Sequence, residues 1–137
     1  MDIVKDLALV DLLCTREFPA EHGRTEEGMG GPGYLIARLG PGEWPSPEDC
    51  YAYETAMTGQ FTMRWGKPSR SGTVTLGERI ARGEDLSEPW TWLNALAQDV
   101  RTWEATGTGR TVMLAVADRD DENEPQLFVV VTDLDWP

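Results

Sequence analysis

Apolar residues recur at three- and four-residue spacings over residues 2–14 (DIVKDLALVDLLC), where Ile3, Leu7, Val10 and Cys14 share one face and Val4, Ala8 and Leu12 widen it. The spacing predicts a helix, with Asp2 as N-cap and acidic residues in a first turn that suits the helix dipole. Residues 15–33 carry no period. They are charged and rich in glycine, and they read as a long loop. Tyr34–Leu39 (YLIARL) is a short apolar run between Gly33 and Gly40, which predicts a strand. A turn-rich connector follows over 40–45. Ser46, Pro47, Glu48 and Asp49 then form a helix start signal. Cys50, Tyr53, Met57, Phe61 and Trp65 make one stripe along this second helix, and Gly66 and Pro68 end it.

Residues 69–88 admit either a strand at 73–76 or a helix at 75–82. Thr75 and Glu78 fit a capping box, which favours the helix. A third helix is expected from Pro89 to the Gly107-Thr108-Gly109 turn, on a stripe of Trp90, Leu93, Leu96/Ala97, Val100 and Trp103. Near the C-terminus Val112, Leu114 and Val116 alternate, the polar connection DRDDENEP occupies 118–125, and Leu127–Val131 is solidly apolar. These segments predict a hairpin whose second strand is interior to a sheet. The whole reads as one α+β domain spanning 1–137. It has three or more mostly antiparallel strands, including the C-terminal hairpin, packed against about three helices that cover one face.

Composition sharpens this picture in one respect. The 137 residues include 24 acidic and 12 basic side chains, a formal net charge of -12. Such a surface repels the phosphate backbone of nucleic acid and attracts basic partners or cations. The acidic residues also break every apolar stretch that would serve as a membrane span or a secretory signal, so the expected residence is the cytoplasm.

Candidate chemistry is sparse. The lone imidazole, His22, lies beside Glu21 in the glycine-rich loop and reads as an exposed loop residue, not a catalytic base. Cys14 and Cys50 fall in two different predicted helices. They lack a CxxC spacing, so buried reduced thiols are the simpler reading, with a single disulfide left open. The glycines at 28, 30, 31 and 33 do not form a phosphate-binding loop, because no GxxxxGK[ST] is present. The acidic run at Asp118, Asp120, Asp121, Glu122 and Glu124 begins like a calcium loop. It has Asn123 where the sharp turn needs glycine and Val129 where the bidentate glutamate belongs. A solvated hairpin tip is the expectation. No cofactor, metal or catalytic set is assigned, and the balance tilts away from an enzyme.

Six tryptophans are many for this length. Trp65, Trp90 and Trp103 have clear core positions on the predicted stripes, whereas Trp44, Trp92 and Trp136 do not. Tryptophan is enriched in interface hot spots. Together with the acidic run 118–124, these three residues are the expected partner-binding set. The reading that follows is a small acidic protein-binding module, similar in general character to bacterial immunity or inhibitor proteins that neutralise a basic partner. A homodimer would use the same aromatic surface. The alternative is a small-molecule-binding protein or enzyme with a cleft between the sheet and the second and third helices, lined by Tyr51, Tyr53, Arg64 and the loop 21–33.

Overall fold

The computed structural model describes residues 2–120 and 124–137. Its elements in chain order are α1 (Ile3–Thr15), β1 (Gly23–Arg24), β2 (Gly28–Gly31), β3 (Tyr34–Leu39), α2 (Pro47–Trp65), β4 (Ser69–Gly72), α3 (Val74–Ala81), α4 (Trp90–Leu96), β5 (Asp99–Ala105), β6 (Arg110–Ala117) and β7 (Gln126–Thr132). The seven strands form one antiparallel sheet in the order β1-β2-β3-β7-β6-β5-β4. The α+β class and the C-terminal hairpin stand as expected. Among the described residues four helices, instead of about three, accompany the sheet.

Strand alternation divides the interior into two cores. Leu35, Ala37 and Leu39 of β3, Trp103 and Ala105 of β5, Val112, Leu114 and Val116 of β6, and Leu127, Val129 and Val131 of β7 point to one face. There they meet α1 through Val10, Leu13 and Cys14, and α2 through Cys50, Tyr53, Met57 and Phe61. The α2 stripe is therefore the predicted one. Ser46 caps it, its hydroxyl accepting from the Asp49 amide, and Gly66 closes it. Met57 and Phe61, both fully buried, each contribute about 1.5–3 kcal/mol by burial. The opposite residues, Tyr34, Ile36, Val100, Met113, Ala115 and Val130, form a second core with Leu76 of α3 and Trp90 and Leu93 of α4. Helices thus lie on both faces, where coverage of one face was expected. The run Leu127–Val131 is apolar throughout because it feeds both cores.

Three segments depart from the sequence reading. The supposed loop 15–33 contains β1 and β2, which extend the sheet beyond β3. Glycine permits this extension: a Cβ on Gly28 would collide with the carbonyl oxygen of Ile36 across the ladder. Residues 69–88 hold both a strand, at Ser69–Gly72, and a helix, at Val74–Ala81, each shifted from its expected position.

The third helix expected through Trp103 stops at Leu96, where Ala97 is extended, and the chain continues as β5. The helix end is held by tertiary partners. The Thr73 hydroxyl and the Arg119 guanidinium both donate to the Ala97 carbonyl at 2.8 Å, and the Arg119 amide donates to Leu96 O at 3.2 Å. These bonds satisfy carbonyls that a longer helix would have used itself. Val100 and Trp103 face opposite cores, so their spacing of three only resembles a helical stripe.

Candidate functional site

Among the described residues, two recesses each gather three carboxylates. The first is a groove at the end of the sheet where the β5–β6 turn meets the C-terminal tail. Pairing of Ala105 with Arg110 brings Glu104 and the turn 106–109 to this end. The tail leaves β7 under tight control: the Thr132 hydroxyl donates to Gly33 O at 2.5 Å and accepts from the Leu134 amide at 3.0 Å, and the Asp133 amide also donates to Gly33 O. Leu134 and Trp136 then pack against the second core. The result is a groove of about 450 Å³ whose lining includes Glu104, Thr111, Asp133 and Asp135. It shares Thr111, Leu134 and Asp135 with an adjoining recess of about 230 Å³ that carries Ser69, Ser71, Thr102 and Trp136.

Glu104, Asp133 and Asp135 are exposed. None of the three has an ion-pair partner among the described residues. Arg110 also lines the groove, but its guanidinium donates to Leu13 O at 2.6 Å and lies 4.0 Å from the Phe18 ring centre. With three carboxylates against one guanidinium the groove is net negative, and the Trp136 indole lines the recess that adjoins it.

The second recess lies between α2 and the β4–β5 edge and measures about 260 Å³. Tyr51 and Glu54 come from one turn of α2, Arg70 from β4, Asp99 and Arg101 from β5, and Asp118 directly follows β6. Its polar groups are bonded to one another, with three carboxylates against two guanidiniums. Arg70 pairs with Asp99 at 3.2 Å, Arg101 with Glu54 at 3.5 Å, and the Tyr51 hydroxyl donates to Asp118 at 2.9 Å. Burial raises the pKa of the Glu54 carboxyl above its ordinary value, with Arg101 opposing. Burial and then the bond to Asp118 push Tyr51 up to about 12. Such a cleft offers a small polar ligand both donors and acceptors.

Of the residues expected to line a cleft, Tyr51 does so. Tyr53 is turned into the core, where it donates to Asp6. Arg64 is bound to Asp11 of α1 at 2.7 Å. The loop 21–33 builds the other end of the sheet, remote in strand order from β4.

The expected partner-binding residues are scattered. Trp44 is only 5% exposed. Its ring lies 5.5 Å from that of Tyr53, so it belongs to the first core, and the expectation of a surface indole fails there. Trp92 is half-buried with its edge to Phe128 at 5.0 Å, and Trp136 is half-buried against Trp90 at 5.2 Å. Asp118 lines the cleft, while Asp120 and Glu124 are exposed. Asp121 and Glu122 lie outside the described residues.

Sequence reasoning passed over Glu104, Asp133 and Asp135, because acidic residues are abundant and only strand pairing selects these three. His22 is exposed, as expected, but its Nδ1 stands 2.6 Å from the hydroxyl of the buried Tyr34. Both cysteines are unpaired and buried. Burial raises both thiols, Cys50 to about 11, so they remain protonated at neutral pH.

No protein-family model matches the chain, and neither a curated protein nor a solved structure matches it. Among the described residues no helix is long and apolar enough to cross a membrane.

Proposed function

We propose that this chain is a binding module for a basic protein partner, acting in the manner of an immunity or inhibitor protein. The observation that carries this reading is the groove of Glu104, Asp133 and Asp135 with Trp136 beside it. Three carboxylates without an ion-pair partner outnumber the one guanidinium of Arg110 there and attract Lys and Arg side chains over distance, and an indole gives such a cation a face to rest on. The net charge of -12 adds a long-range field of the same sign.

The test is capture of partners from source cells by the tagged chain, in low and in high salt, with binding kinetics measured on whatever is recovered. The reading expects a partner of high isoelectric point whose on-rate falls steeply with salt. It also expects Glu104→Lys/Asp135→Lys to abolish the interaction. Recovery of acidic partners alone, a salt-independent on-rate or full binding by the double variant overturns it.

A second reading rests on the cleft beside α2. Its convergent tyrosine, arginine and carboxylate groups suit a small polar ligand, in a binding or an enzymatic role. A thermal-shift screen of small zwitterions and sugars tests it: a ligand that stabilises the protein but not Tyr51→Phe/Arg101→Ala supports it, and a screen without a shift rejects it.

A further inference from the structure

We propose that the uncovered part of the second sheet face docks an extended, acidic peptide segment of another protein through one large apolar side chain. This inference is independent of the acidic groove. On the second face α4 contacts β6, and Tyr34, Ile36 and Val130 lie in the core with it. Further out, Met29 of β2 and Phe128 of β7 are only half-buried. With Ile36 they floor a groove of about 330 Å³. That volume accommodates a large apolar side chain.

The charges at its rim indicate the occupant. Among the described residues, six arginines stand within ion-pair distance of a carboxylate. Arg110 and Arg119 donate to carbonyl oxygens. Arg24 and Arg38, both on this rim and both exposed, have no such partner. Glu27 also lines the groove, but Arg16 holds its carboxylate at 2.7 Å and its side chain is 8% exposed. In a chain with twice as many acids as bases, two unpaired guanidinium forks beside an apolar floor complement carboxylates supplied from outside.

The register sets the spacing of those carboxylates. Arg24 stands opposite Met29, Met29 opposite Ile36, and Arg38 is two residues beyond Ile36 on the same face. Two inter-strand steps and two residues of rise separate the arginines by about 12 Å. Residues four apart in an extended peptide span a similar distance, about 13 Å. The structure therefore assigns to the groove a segment with an acidic residue two positions before and two positions after a large apolar one.

A random heptapeptide display library, selected in parallel on the native chain and on Arg24→Glu/Arg38→Glu, tests the assignment. The native chain is expected to enrich peptides with that acidic-apolar-acidic spacing. The consensus peptide, synthesised and measured by fluorescence anisotropy, should lose about tenfold or more in affinity on the double variant. Both substitutions are at exposed positions, and circular dichroism verifies that the fold is kept. Glu104→Lys/Asp135→Lys should bind the peptide as well as the native chain does, which separates this groove from the acidic one. Enrichment of basic or neutral peptides, no enrichment, or equal binding by both proteins overturns the proposal. So does a concentration-dependent dimer that Arg24→Glu/Arg38→Glu abolishes in sedimentation, since the groove would then receive a second copy of the chain.

Discussion

The Tyr53 hydroxyl donates to the buried carboxylate of Asp6 at 2.5 Å, and the Gly40 amide donates to the same oxygen at 2.9 Å. One side chain of α1 thereby ties α2 to the turn after β3. Tyr53→Phe leaves the Asp6 carboxylate, 8% exposed, with one fewer donor. The expected loss is about 1–3 kcal/mol, read as a lower denaturant midpoint with an unchanged slope. A midpoint equal to that of the native chain would show that the tie contributes nothing net.

Stability should also fall on the alkaline side. The Cys50 thiol is pushed by burial from 9.0 to about 11, and Tyr51 and Tyr53 are raised above 10.0. Between the ordinary and the raised values the folded chain keeps protons that the unfolded chain has released. The stabilisation is therefore complete below about pH 9 and is lost progressively as the pH climbs through the folded-state values. Urea titrations at about pH 7, 9 and 10.5 measure the slope, and Cys50→Ala should flatten its lower part. A midpoint that stays constant across this range contradicts the assignment.

Trp44 and Trp136 should separate stability from binding. Trp44 packs on Tyr53 and over Gly40, whose φ of 85° lies in the left-handed region. Trp44→Ala should cost about 3–5 kcal/mol. Gly40→Ala should be strongly destabilising as well, since its Cβ would collide with the Trp44 ring. Trp136→Ala should cost on the order of 1 kcal/mol and weaken partner binding instead. Thermal denaturation and titration with the captured partner give the two readouts.

Charge in the acidic groove should act on association more than on dissociation. Conversion of Glu104, Asp133 and Asp135 to the amides is expected to slow association by about tenfold at low salt, with little change in high salt. Stopped-flow kinetics with the partner checks this. An effect confined to the off-rate would place the three carboxylates in direct contact rather than in a steering field.

Where local pattern and tertiary environment agree, the elements were legible without coordinates. The second helix has a Ser-Pro start, one buried stripe and a Gly-Pro stop, so every local signal names the same boundaries. Tyr34–Leu39 and the hairpin of β6 and β7 carry strand signals bounded by turn residues. The negative balance is likewise a property of composition alone. Only the fold could decide the rest. A strand such as β5, which gives Val100 to one core and Trp103 and Ala105 to the other, has no single-face alternation to betray it, and its separation from α4 depends on Thr73 and Arg119 reaching the Ala97 carbonyl from elsewhere in the chain. Trp44 becomes a core residue only because the turn after Gly40 carries it back over α2. Glu104, Asp133 and Asp135 become one groove, with Trp136 in the recess beside it, because antiparallel pairing sets the β5–β6 turn beside the end of β7. Residues some thirty positions apart share no local signal, and hydrogen-bonded register alone makes them neighbours.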